Sequence, residues 1–136
     1  MKKYLLLVFV TTFFALSCKK PFNGSNTCDG VFCTGVFNEI KITVVDNNKK
    51  PVLIDEFYTI RTSTNDTLYN SSITLNITPY KVVLDDSYLP KLRNQRDIFR
   101  YLAFYKKRLV ADQPYTISAD CCHIKKELGA DTILSR

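Results

Sequence analysis

Ile40-Lys41-Ile42-Thr43-Val44-Val45-Asp46-Asn47-Asn48-Lys49-Lys50-Pro51-Val52 is the stretch that decides the fold. Ile40, Ile42 and Val44 alternate with Lys41, Thr43 and Val45, a period of two that places three apolar side chains on one face of an extended chain. Polar turn residues follow from Asp46, ending in Pro51, and a second β-rich run opens at Val52.

The same rhythm continues downstream. Val52 to Thr62 reads as a second strand, long enough to hold a bulge, and Ser63 to Ser72 is polar and turn-rich. Ile73, Leu75 and Ile77 alternate with Thr74, Asn76 and Thr78 as a third strand. Beyond Pro79, Tyr80, Val82 and Leu84 give a fourth. Asp85 to Arg96 is a loop with room for one helical turn. Ile98 to Tyr105 alternates again, and Lys106-Lys107-Arg108 makes a solvated turn into Leu109-Val110-Ala111. Gln113-Pro114 predicts another turn, after which Tyr115, Ile117, Ala119 and Cys121 share one face of a strand. A polar stretch through Gly129 leads to a last short strand, Thr132 to Leu134. Many short strands, regular turns and no amphipathic helix predict an all-β chain, a single antiparallel β-sandwich of about seven strands. The Ile42–Val52 segment resembles the opening hairpin of carboxypeptidase regulatory-like domains. That resemblance implies a prealbumin-like sandwich for the Ile40 to Leu84 half.

Upstream of the sandwich, the chain has a different character. Lys2 and Lys3 precede thirteen uncharged, mostly apolar residues, Tyr4 to Leu16, and then Ser17 and Cys18. Charge, apolar core and a small-residue cut site, in that order, make a secretory signal. The apolar run falls short of the ~20 residues a membrane-spanning helix needs. Ala15-Leu16-Ser17-Cys18 resembles the lipobox of bacterial lipoproteins. The resemblance implies cleavage before Cys18, with lipid on its thiol and on its new amino group. Lys19, Lys20, Asn23, Gly24, Ser25 and Asn26 then read as a short tether. The expected organisation is a signal peptide over 1–17, a lipidated cysteine and tether over 18–35 that carries Cys28 and Cys33, and the sandwich over 36–136.

Removing the first seventeen residues leaves 119, enough for one domain. It also takes Lys2 and Lys3 away, so 17 basic residues face 13 acidic ones and the net charge falls from +6 to +4. That is too small a charge to indicate nucleic acid. Five cysteines are an odd number for an exported protein; with Cys18 lipidated, Cys28, Cys33, Cys121 and Cys122 remain. Four cysteines allow three pairings, two of which join Cys28 and Cys33 to Cys121 and Cys122. The competing use of these residues is a metal site of Cys28, Cys33, Cys122 and His123, or a thiol-redox cluster that adds Cys121. Asp120-Cys121-Cys122-His123 resembles a C-terminal signature of small Bacteroidota lipoproteins, a resemblance that implies no particular activity.

His123 is the only histidine, so a Ser-His-Asp or Cys-His scheme would have to use it. There is no phosphate-cradling glycine loop and no H-E-x-x-H. No enzyme and no cofactor are expected. Between Lys91 and Arg108 lie seven basic residues and one acid, Asp97, with Tyr101, Phe104 and Tyr105 interleaved. Lys106, Lys107 and Arg108 are the candidate contact to an anionic surface, against the alternative of a charged turn guarding a sheet edge.

The sequence thus predicts a non-catalytic, lipid-anchored binding or accessory module of the cell envelope. Its partners would be the membrane, through Cys18, and an envelope protein or polysaccharide. Lys19 and Lys20 differ from the acidic export signals of surface lipoproteins in that group, which points to an outer-membrane position facing the periplasm.

Overall fold

The computed structural model describes residues 28–72 and 79–136, with backbone only for 70–72. Cys18 and the expected third strand over 73–78 lie outside the described residues. The chain forms two facing sheets. The strands are β1 (Glu39–Val45), β2 (Glu56–Arg61), β3 (Asp66–Ser72), β4 (Lys81–Asp85), β5 (Gln95–Tyr105), β6 (Arg108–Ala119), β7 (Ile124–Leu128) and β8 (Thr132–Leu134). A 3-10 turn, Asp86–Tyr88, and a one-turn helix α1 (Leu89–Leu92) follow β4. The small sheet has the order β4-β1-β8 and the large one β3-β2-β5-β6-β7. All pairings are antiparallel except β1 with β8.

The alternation in β1 appears as expected: Ile40, Ile42 and Val44 are buried. They meet Val83 and Leu84 of β4, and Phe57, Phe99, Tyr101, Tyr115 and Ile117 of the large sheet, in one core. Thr59 donates its hydroxyl to the Val83 carbonyl across that core. In β4 the register shifts opposite Ile40/Lys41, and Val83 is the extra residue. That bulge explains why adjacent Val83 and Leu84 are both fully buried.

Four expectations are corrected. The strand expected from Val52 begins at Glu56, because Val52 to Asp55 crosses from the small sheet to the large one, held by Val52 N–H to the Val44 carbonyl and Asp55 N–H to the Phe104 carbonyl. The polar run Ser63–Ser72 is a turn only as far as Asn65; Asp66–Ser72 is β3, an edge strand whose Leu68 and Tyr69 are partly buried against the core. Gln113-Pro114 does not turn the chain, since β6 runs through it. Pro114 pairs with Arg100 of β5 on one side, while β7 pairs only with Thr116–Ala119 on the other. The missing N–H therefore costs no ladder bond. Last, the polar stretch before Gly129 contains β7, which brings the strand count to eight.

The turn after β1 is built on Asp46, whose side chain accepts from Asn48 N–H (2.8 Å) and Lys50 N–H (2.9 Å). Lys49 sits at φ +62°, the left-handed region that favours glycine. Between β7 and β8 a glycine is required: Gly129 has φ +124°, and a Cβ there would lie 2.1 Å from the Tyr115 ring. The Tyr115 hydroxyl then donates to the Ala130 carbonyl at 2.7 Å, fastening the connection.

Candidate functional site

The sandwich has two chemically distinct ends. Cys28 is bonded to Cys121 and Cys33 to Cys122, so the Cys28–Phe37 segment is stapled to the turn between β6 and β7. The sequence places Cys121 and Cys122 on a strand, where neighbouring side chains point oppositely; β6 ends at Ala119 instead, and both cysteines lie in a bend. Asp120 makes that bend. Its Oδ1 accepts from Cys122 N–H (2.7 Å) and His123 N–H (2.8 Å), and its own N–H donates to the His123 carbonyl. These two backbone bonds hold the Asp120 carboxyl below its usual range, against a smaller opposing effect of burial.

Asp86, opening the 3-10 turn, is the hub of this end and was not legible in the sequence. Its Oδ1 accepts from Ile124 N–H and its Oδ2 from Asn38 N–H and His123 Nδ1, each at 2.8 Å. Its side chain is 8% exposed. Burial pushes the carboxyl up, but the bonds from His123, Ile124 and Asn38 together outweigh it and hold it below its usual range. His123 Nε2 lies 3.1 Å from Thr34 Oγ1. With Nδ1–H donating to Asp86, Nε2 accepts from the Thr34 hydroxyl.

Thr34, His123 and Asp86 thus stand in the order hydroxyl, base, orienting carboxylate, a geometry used in acyl transfer. A reacting carbonyl also needs N–H donors for its developing oxyanion. The N–H groups of Cys122 and His123 are bound to Asp120, and those of Asn38 and Ile124 to Asp86. These four donors serve the fold, and the chain of three fastens the Cys28–Phe37 segment.

The metal alternative loses its donors here. Cys28, Cys33 and Cys122 are in disulfides, so they offer no thiolate, and both ring nitrogens of His123 are engaged. Among the described residues, no group of three or more His, Cys, Asp or Glu is placed to hold a metal ion.

Lys106, Lys107 and Arg108 are at the opposite end, where β5 turns into β6. Lys106 (φ +48°) and Lys107 (φ +63°) form a two-residue hairpin loop with both residues left-handed, the type I′ geometry that usually takes Asn-Gly. Lys106 N–H donates to Asp55 Oδ2 at 2.6 Å, and its ammonium lies 5.2 Å from the Tyr105 ring centroid. All three side chains are exposed, and among the described residues none is in an ion pair. The Asp46–Lys50 turn and Arg136 share this end, since Pro51 bridges Val45 and Arg136 N–H donates to the Val110 carbonyl. Arg100 and Arg136 flank Asp112, whose carboxyl the Arg100 hydrogen bonds and the two positive charges hold low.

Comparison with protein-family models, curated proteins and solved structures gave no match. The family resemblances drawn above therefore rest on the residues quoted for them.

Proposed function

We propose that this chain is a lipid-anchored, non-catalytic binding or accessory module of the cell envelope, tethered through Cys18. The observation that carries the reading is the use of the cysteines. Cys28, Cys33, Cys121 and Cys122 are consumed in two disulfides, which suits an oxidising compartment and leaves Cys18 as the single odd thiol. That thiol stands directly behind the Met1–Ser17 signal-like segment. Among the described residues no helix is long and apolar enough to cross a membrane.

The partner-facing surface in this reading is the Lys106-Lys107-Arg108 hairpin, directed at an envelope protein or an anionic polysaccharide. Two lysines held left-handed where Asn-Gly would be relaxed give the charge a reason beyond turn formation. The position is the outer membrane, with the domain facing the periplasm. Detergent-phase partitioning tests the anchor: wild type is expected in the detergent phase and Cys18→Ala in the aqueous phase, whereas equal partitioning would reject lipidation.

A further inference from the structure

The Cys28–Phe37 segment contains no strand or helix and contributes nothing to the buried core. It is nonetheless fastened by two disulfides, by the Thr34–His123 bond, and by a turn in which Val31 N–H meets the Cys28 carbonyl around Gly30 at φ +77°. The fastening does not hide the segment's own apolar groups. Phe32 is 96% exposed, Val31 49%, Val36 63% and Phe37 59%. Asp29 is the only charge from Cys28 to Asn38. A phenylalanine almost wholly in water forgoes the gain of burying its ring, and here it is held there by covalent bonds.

We propose that this disulfide-clamped loop is a membrane-contact surface, with Val31 and Phe32 entering the headgroup–acyl boundary of the bilayer that holds the Cys18 lipid. The inference rests on the lipid-anchor reading above. What selects the bilayer as occupant is position: Cys28 lies ten positions after Cys18. Even fully extended, that length reaches only ~33–36 Å, so this loop is the first described part of the domain that the anchor brings to the surface. The chemistry agrees, because a loop with Asp29 as its one charge and with exposed Val31, Phe32, Val36 and Phe37 gains by leaving water at the interface, in the way amphipathic surface segments do. The basic hairpin lies at the far end of β5, whose eleven residues span about 36 Å. Contact through the loop therefore stands the sandwich upright and points Lys106, Lys107 and Arg108 away from the anchoring membrane.

The chain contains no tryptophan, so Phe32→Trp introduces a single reporter at an exposed position. The test uses the full lipidated protein in vesicles of phosphatidylethanolamine and phosphatidylglycerol, with and without brominated acyl chains. The expected result for Phe32→Trp is a blue-shifted indole emission, quenched by the brominated lipid and shielded from aqueous acrylamide. Leu134→Trp, at the opposite end, should remain accessible to acrylamide and unquenched by bromine. An acrylamide-accessible indole in Phe32→Trp protein that still floats with the vesicles would overturn the contact and leave the anchor standing. Protein that does not float would overturn the anchor and the contact with it.

Discussion

At one end of the sandwich, Cys28–Phe37 is fixed by two disulfides and the Asp86–His123–Thr34 chain, and it shows solvent a phenylalanine. At the other, Lys106-Lys107 closes a hairpin in a strained conformation and shows solvent only charge. Neither end is built for its own local stability. The first spends covalent bonds on a segment outside the core; the second keeps lysines where Asn-Gly would relax the turn. In a domain organised around one core, such departures from local preference mark the surfaces where contact with something else is the better explanation.

Breaking the disulfides should have the largest effect. Cys28–Cys121 closes a loop with a sequence separation of 93 residues, worth on the order of 4 kcal/mol in the chain-entropy model. Thermal melts with and without reductant should then differ by roughly 4 °C or more for each kcal/mol lost. An unchanged melting temperature, with faster proteolysis near Phe32, would show instead that the bonds serve only the loop. Asp86→Ala should come next, costing about 3 kcal/mol, because it leaves a histidine and two backbone N–H groups without their charged acceptor. The same carboxylate gives a pH signature. Its folded pKa is depressed, so its contribution is complete above its unfolded value near 4 and is lost as pH falls through the lower folded value. Protection of the Asn38 and Ile124 amides against hydrogen exchange, taken relative to the intrinsic rate at each pH, should therefore fall below about pH 4 in wild type and be low at every pH in the variant. The smallest effect is expected at the hairpin: Lys106→Asn with Lys107→Gly should raise stability by about 1 kcal/mol in urea melts. A loss of stability would mean that the lysines favour the turn and would remove the reason to read them as a contact surface.

How much of this was readable in advance follows from what each feature depends on. Strict alternation marked β1, and its burial followed. The even cysteine count pointed to two disulfides and left three pairings open, two of them joining Cys28/Cys33 to Cys121/Cys122; which of these forms depends on where the fold places the two segments. Asp86 is 37 residues from His123, and no local pattern joins them. The edge strand β3 hid in a polar run because only Leu68 and Tyr69 of Asp66–Tyr69 reach the core, too short a pattern to show alternation. Pro114 misled for the converse reason: a residue that normally breaks a sheet sits where no neighbouring strand asks for its N–H.

The parallel pairing of β1 with β8 sets a condition on how the molecule can be made. Thr43, Val44 and Val45 wait for Thr132, Ile133 and Leu134, partners about ninety positions later in the chain. A polypeptide emerging amino end first, from a ribosome or through a membrane pore, cannot complete its small sheet until residue 134 has passed. Such distant partners slow folding. Over that interval the edge of β1 that β8 will cover has no strand beside it.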